Sequence, residues 1–249
     1  MPRSISSSQS KEPLPESGHR ALLWACEVAT QNPGAIKRPP DRPDAVQLRA
    51  FPVSELRRIL DELILGRYIQ YGLDALLQMG VLEVWLPELQ ALVGFSDGEW
   101  RHKDLWKHSK QVVWQSEPRI AVRWGALLHD IGKVKTRRAR PDGQVRFLGH
   151  AEVGAAMFRK RIASRLAFTG DLYERIHYLI LHHLRASQYD SGWTDSAVRR
   201  FTREMGEGLE DLLALSRADI TTKRPERRQQ GLILIDELGR RLEQLRIED

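Results

Sequence analysis

A histidine and an aspartate, His129 and Asp130, stand side by side in the apolar segment 127–133 (LLHDIGK). The preceding leucines predict that the pair lies at the buried end of a helix, and Gly132 then allows the chain to turn. Burying such groups without partners is costly, so the pair indicates a metal site, an ion pair or a catalytic site. The dipeptide is common, however, and taken alone it also fits an ordinary helix end whose polar groups are satisfied locally.

Four further metal-capable side chains fall on the inner faces of separate predicted helices. They are His108 on the stripe of Leu105 and Val112, His150 before Val153 and Met157, His183 at the end of the stripe of Leu172, Ile176, Leu179 and Ile180, and Asp219 after Leu212 and Leu215. Residues at these spacings share one face of an α-helix, and an apolar face packs against the core. Each helix therefore delivers one candidate ligand to the core, and the pattern predicts that these side chains converge.

The arrangement of a histidine, a later HD pair and a distant aspartate resembles the HD superfamily of metal-dependent phosphohydrolases. One branch is closer still, the HD domain of bacterial tRNA nucleotidyltransferases, the CCA-adding enzymes. The segments that carry this resemblance are 128–133 (LHDIGK), 149–152 (GHAE), 183–185 (HLR), 198–200 (VRR) and 218–219 (AD). Upstream, 62–63 (EL), 80–82 (GVL) and 86–89 (LPEL) resemble the helical neck that precedes that domain, so the resemblance runs from residue 52 to residue 240.

The resemblance implies a ligand set and a cofactor. The positions that match the family's metal ligands are His108, His129, Asp130 and Asp219. Histidine and carboxylate ligands without thiolates favour an octahedral divalent ion, namely Mn, Mg, Fe, Co or Ni, over a structural zinc. The sequence departs from the nucleotidyltransferases in containing no Gly-Gly-x-x-Arg-Asp element and no early pair of catalytic aspartates, so CCA addition is not carried over.

Several other residues are candidates for catalysis or substrate binding. Lys133 and Arg185 follow the proposed site closely in sequence and could hold phosphate oxygens. His150 and His183 either hold a second metal or face the substrate phosphate as acid or hydrogen-bond donor, and we favour the second role. His102 falls on a different helix face from His108 and could contact substrate at the mouth of the site.

The composition favours a globular protein with a polyanionic partner. The 249 residues include 41% hydrophobic residues and carry a net charge of +6, which favours a nucleotide or RNA phosphate substrate and is compatible with RNA binding. The single cysteine, Cys26, excludes an intramolecular disulfide and a cysteine-based zinc site. The sequence shows no apolar run long enough for a membrane span and no apolar centre of a secretory signal, so we expect a cytoplasmic protein without membrane contact.

The periodicity predicts an all-α fold in which an HD-domain helical bundle follows a small helical neck. Residues 1–18 are predicted to be a disordered tail and residues 19–51 a short helix with a Pro-rich linker, so that folding proper resumes near Pro52. Residues 52–95 form the predicted neck and residues 96–249 the HD domain. Segment 144–148 (QVRFL) is the one predicted strand or hairpin arm.

Two functions from different classes are consistent with these features. The first is a metal-dependent phosphohydrolase, a phosphomonoesterase or 2′,3′-cyclic phosphodiesterase acting on nucleotides or RNA ends, as the resemblance implies. The second is a non-catalytic RNA- or nucleotide-binding module derived from a tRNA nucleotidyltransferase. The complete ligand set favours the enzyme, because a binding module has little need of every metal position.

Overall fold

The fold confirms the all-α prediction in a computed structural model that describes residues 15–32, 38–96, 104–139 and 145–248. The N-terminal helices are α1 (Glu16–Thr30), α2 (Ala45–Arg49), α3 (Val53–Leu65), α4 (Ile69–Gln78), α5 (Val81–Trp85) and α6 (Pro87–Gln90). The later helices are α7 (Leu105–Gln115), α8 (Ile120–Leu128), α9 (Lys133–Thr136), α10 (His150–Met157), α11 (Ala163–Arg165), α12 (Gly170–His182), α13 (Asp195–Met205), α14 (Leu209–Ala218) and α15 (Pro225–Glu248). A π-helical turn, Phe158–Ile162, joins α10 to α11.

Helix α8 is the centre of the bundle, because its residues from Ala121 to Leu128 are all buried. It packs against α3, α7, α12 and α14, so the chain that leaves its C-terminal end emerges among several helices. Gly125 permits the close approach of α12, since a Cβ atom there would lie 2.8 Å from a Leu179 methyl carbon. This central position brings the following HD pair into the core.

A short antiparallel hairpin interrupts the helices between α9 and α10. Strands β1 (Arg138–Ala139) and β2 (Val145–Arg146) pair with Arg138 opposite Arg146 and Ala139 opposite Val145. The strand predicted in segment 144–148 is therefore present, shorter than the pattern indicated. Within the described ranges, no helix has the length and apolar composition that a membrane crossing requires.

Helix boundaries largely follow the sequence signals. Gly66 follows the last residue of α3, and the Thr194 hydroxyl caps α13 by accepting a hydrogen bond from the Ala197 amide. Pro52 occupies the N-cap position of α3, so Ser54 lies in the first turn of the helix. Proline is favoured at a helix start, where its missing amide proton leaves no bond unmade.

The N-terminal region differs from the expectation of a short helix and linker outside the folded part. Helix α1 begins at Glu16 and packs against α3 and α4, with Ala21, Ala25 and Ala29 fully buried. One hydrophobic cluster includes residues from α1 through α15. The division into a neck and an HD domain at residue 95 stays a prediction.

Candidate metal centre

The HD pair lies at the C-terminal end of α8, where both side chains are 1% exposed. The Nδ1 atom of His129 donates a hydrogen bond to the Ala126 carbonyl at 2.7 Å, so its Nε2 atom points into the site. Gly132 closes the following turn against the first residue of α10, since a Cβ atom there would lie only 2.0 Å from the His150 carbonyl oxygen. Only glycine fits this approach, which explains its place in the motif.

His108 and Asp219 approach the pair from α7 and from the end of α14. His108 Nε2 lies 3.1 Å from Asp219 Oδ1, 3.3 Å from His129 Nε2 and 3.4 Å from Asp130 Oδ2. Its Nδ1 atom lies 3.1 Å from the Thr221 hydroxyl, which orients the ring. His108, His129 and Asp219 form the first group of potential ligands. They are three of the four positions that match the family's ligands, and Asp130 is the fourth.

His150 and His183 approach Asp130 from the other side. Gly149, with a φ of 73°, turns the chain so that His150 opens α10, while His183 follows the last residue of α12. Each ring donates from Nδ1 to a backbone carbonyl three residues earlier at 2.8 Å. Their Nε2 atoms lie 3.0 Å apart, and they lie 3.4 and 3.9 Å from Asp130 Oδ1 respectively.

Asp130 therefore lies between two groups of potential ligands. The groups are His108, His129 and Asp219, and Asp130, His150 and His183, and within each group the ligand atoms lie within 4.8 Å of one another. Asp130 presents Oδ2 to the first group and Oδ1 to the second. Within the described residues, the buried Oδ1 atom has no hydrogen-bond donor.

The donor set fits a cation. The Nδ1 atoms of His150 and His183 carry protons, because the backbone carbonyls that they contact can only accept hydrogen bonds. In the neutral rings the Nε2 atoms therefore have lone pairs, which face each other and Asp130 Oδ1. Three acceptors at this separation repel one another unless a cation or a shared proton lies among them. Imidazoles held by backbone carbonyls and aimed at one carboxylate are a common arrangement in metal sites.

Electrostatics set different protonation states across the centre. Burial opposes the charged form of His108, but hydrogen bonds with Asp130 and Asp219 outweigh it and raise its pKa to about 9. Burial, with repulsion from His129, lowers the pKa of His183 to about 4. Burial alone would raise the pKa of Asp130, yet the charges of His129 and Lys133 hold it well below its usual value. The carboxylate is thus ionised and ready to bind a cation.

An open cavity of about 300 Å³ leads to the first group. Its lining comprises Leu105, His108, Lys133, Asp219, Ile220, Thr221 and Thr222. Lys133 lies at this opening with its ammonium nitrogen 2.6 Å from Asp130 Oδ2. The buried pair of His150 and His183 is absent from the lining.

Arg185, another predicted substrate contact, lies away from the cavity. Arg185 donates a 2.5 Å hydrogen bond to Glu204 on the surface and does not line the cavity, so its role as a substrate ligand stays a prediction without geometric support. His102 lies outside the described residues. The ring of His182, the neighbour of His183, packs on Tyr178.

Thr221 is the functional candidate that sequence reasoning missed. It follows Asp219 by two residues, and a hydroxyl so close to a predicted ligand is the only signal that could have indicated it. Its partner His108 has a side-chain hydroxyl at Nδ1, whereas His129, His150 and His183 have backbone carbonyls there.

Comparisons with known proteins agree with this geometry. Residues 102–223 match the family model described as the HD domain. The chain is 36% identical over 193 residues to the CC-adding tRNA nucleotidyltransferase of Thermus thermophilus, covering 74% of this chain and 42% of that protein. It is 33% identical over 186 residues to the A-adding tRNA nucleotidyltransferase of Deinococcus radiodurans, covering 70% of this chain and 42% of that protein. The chain thus spans less than half the length of these relatives.

The family also accounts for the cofactor. HD domains bind divalent metal ions, and the two histidine and aspartate groups around Asp130 are able to hold such an ion. Residues 102–223 form an HD domain, and the chain is related to the tRNA nucleotidyltransferases.

Proposed function

We propose that the protein is a metal-dependent phosphohydrolase that acts on phosphoesters of nucleotides or RNA ends. The observation that carries the proposal is the position of Asp130, whose two oxygens face separate groups of histidines while one of them lacks any donor in the described structure. A purely structural cluster has no use for a buried carboxylate left open in this way. The relatives are tRNA nucleotidyltransferases, which supports an RNA or nucleotide substrate.

His108, His129, Asp130 and Asp219 would hold the metal at the cavity. Such an ion lowers the pKa of bound water and neutralises charge on the phosphoryl oxygens. Lys133 adds a positive charge at the opening. The ammonium group of its partly exposed side chain can bind a phosphate oxygen while it keeps its ion pair with Asp130. The open, polar mouth supports entry of an anionic group.

His150 and His183 have a different role in this proposal from the one favoured by the sequence. Both rings are buried, neither lines the cavity, and both direct Nε2 at Asp130 Oδ1. This supports ligation of a second ion, with Asp130 shared between the two, over contact with a substrate phosphate.

A hydrolysis screen tests the proposed activity. The protein, loaded in turn with Mn, Mg, Fe, Co and Ni, is assayed on bis(p-nitrophenyl) phosphate, 2′,3′-cyclic nucleotides and nucleoside monophosphates. We expect metal-stimulated hydrolysis that Asp130→Asn abolishes. The control His177→Gln, which changes a half-buried histidine that belongs to neither ligand group, should retain it. Absence of hydrolysis with every ion in folded, metal-loaded protein would refute the proposal. RNA binding that persists in Asp130→Asn without any hydrolysis would instead favour the non-catalytic module.

Metal analysis tests the second ion separately. We expect two equivalents of metal in the unaltered protein and one in His183→Gln. A single equivalent in both proteins would return His150 and His183 to the role of substrate contacts.

A further inference from the structure

Two exposed sets of basic residues flank the opening of the metal-centre cavity. The hairpin cations follow Lys133, which lines one side of the opening, and comprise Lys135, Arg137, Arg138 and Arg146. The α15 cations follow Thr222, which lines the cavity, and comprise Lys223, Arg224, Arg227 and Arg228. A substrate entering between Lys133 and Thr222 would therefore pass between the two sets.

The hairpin is anchored to the metal centre at both ends. Lys133 pairs with Asp130, and His150 lies 3.4 Å from the same carboxylate. Arg138 follows Lys133 by five residues, and Arg146 precedes His150 by four. An extended chain spans at most about 3.6 Å per residue, which limits these backbone separations to about 18 Å and about 14 Å. The hairpin cations thus stay close to the opening.

No carboxylate of the described residues lies within ion-pairing distance of either set. Surface arginines elsewhere do have such partners, as Arg58 has Glu55 and Arg185 has Glu204. Arg138 and Arg146 also stand directly opposite each other across the hairpin, where like charges destabilise strand pairing. A bound anion would remove this repulsion, so the arrangement indicates an anionic ligand.

The opening also favours an extended ligand over a compact one. A lone nucleotide in a cavity of about 300 Å³ would reach Lys133 and the threonines but leave both outer sets without anions. Leu148, which is 72% exposed at the end of the hairpin, offers an apolar surface beside these charges. Regularly spaced phosphates joined to apolar bases match such a mixture of cations and exposed apolar surface.

We propose that the hairpin cations and the α15 cations bind the phosphodiester backbone of a single-stranded polynucleotide whose end enters the cavity. The assignment of the reacting end rests on the proposed function, whereas the binding step does not require hydrolysis. The surface would make the protein select the ends of polynucleotides over mononucleotides.

The test measures binding by fluorescence anisotropy across a salt series. The probes are single-stranded RNA and DNA of one sequence and of about 12 nucleotides, within the usual range of site sizes. The full-length variants are Arg138→Gln/Arg146→Gln and Arg224→Gln/Arg227→Gln. The matched control, Arg49→Gln/Arg67→Gln, removes the same charge from exposed residues that do not line the cavity.

Each test pair is expected to weaken binding about tenfold near 0.1 M salt and to reduce the slope of log affinity against log salt by about 1.4, since each phosphate contact contributes about 0.7. The control should stay within about twofold of the unaltered protein. An equal loss of affinity in the control variant, or an unchanged salt slope in either test pair, would overturn the proposal that both sets of cations bind the backbone. Tighter binding to phosphatidylserine vesicles than to both oligonucleotides, lost in the same variants, would overturn it in favour of a membrane.

Comparing the RNA and DNA probes shows which part of the backbone is recognised. Equal affinities mean that only the phosphates are recognised, and tighter binding of RNA means that the 2′-hydroxyl groups contribute. Hydrolysis of 2′,3′-cyclic mononucleotides is expected to be unchanged in both test pairs. Binding without hydrolysis in the unaltered protein would remove the proposed function and leave the surface standing. Hydrolysis without oligonucleotide binding would remove the proposed polynucleotide-binding surface and leave the proposed function standing.

Discussion

Metal binding at the centre is expected to release about one proton per chain at pH 7, and the source is His108. Burial opposes the charge of this imidazole, but Asp130 and Asp219 raise its pKa to about 9, so it is protonated in the metal-free protein. A metal ligand must be deprotonated, and the ion therefore displaces that proton. Asp219 contributes no proton of its own, because burial is outweighed by His129 and His108 and its pKa is lowered.

The magnitude follows from the separation of this pKa from the working pH. With the pKa at about 9, each unit below that value costs about 1.4 kcal/mol of binding free energy, or a tenfold loss of affinity. Affinity at pH 7 should therefore be about 100-fold below its limit at high pH. In the metal-free protein the same raised pKa stabilises the fold fully below pH 6.5, and this contribution is lost as the pH rises through about 9.

Isothermal titration calorimetry with Mn²⁺ measures the proton release. Titrations at pH 7 in buffers of different ionisation enthalpy yield the number of protons released, and a series towards pH 8.5 should show about a tenfold gain in affinity per unit. Nitrogen chemical shifts of the labelled imidazoles in the metal-free protein provide an independent titration of His108. A proton count near zero, an affinity that does not change between pH 7 and 8.5, or titration of His108 near its ordinary value would refute the reasoning.

Three further predictions concern residues around the centre and in the core. Thr221→Val removes the hydroxyl partner of His108 Nδ1 and should weaken metal binding by about 10- to 100-fold, whereas Thr221→Ser should retain the affinity. Equal metal affinities of the two variants in calorimetry would contradict a positioning role of Thr221. Gly132→Ala should lower the free energy of unfolding by about 1–3 kcal/mol, because its Cβ atom would meet the backbone of α10. Gly239→Ala should instead raise the free energy of unfolding by up to about 1 kcal/mol in urea titrations, because a Cβ atom there would only contact a Leu213 methyl carbon at 3.9 Å. Burial and the nearby Glu62 raise the pKa of Cys26 to about 12. Thiol reagents at pH 8 should therefore label Cys26 slowly until urea unfolds the protein. Rapid labelling of the native protein would exclude this burial.

The convergence of the ligands could be predicted because helical periodicity identifies inward-facing residues. The stripes that end at His183 and Asp219 place those residues at the core ends of their helices. The pattern does not encode which ligands lie nearest to each other. That grouping depends on the packing of α10 and α12 on the far side of Asp130, a long-range property that spacing within one helix does not contain.

The structural role of the N-terminal helix was hidden for a different reason. Alanines at 21, 25 and 29 carry little hydrophobic weight, yet each is fully buried. Small residues one helical turn apart allow another helix to approach closely. A Cβ atom added at Gly72 would lie 2.5 Å from the Ala29 Cβ atom, which shows how near α4 comes. Propensity and hydrophobicity therefore underestimated a helix whose contribution lies in close backbone contact.

The helices before the HD domain contact the very element that carries the HD pair. Arg123, which is 5% exposed, donates hydrogen bonds of 2.8 Å to the carbonyls of Ile64 and Gly66 at the end of α3. Its neighbour Trp124 donates a 2.7 Å hydrogen bond to Asp61. His129 follows Arg123 by six residues, about 9 Å along a helix. Contacts at both ends thus fix the direction of α8 and the orientation of His129 and Asp130. Helix α3 makes these contacts near the start of α8, and the helices that carry the other ligands make them near its end.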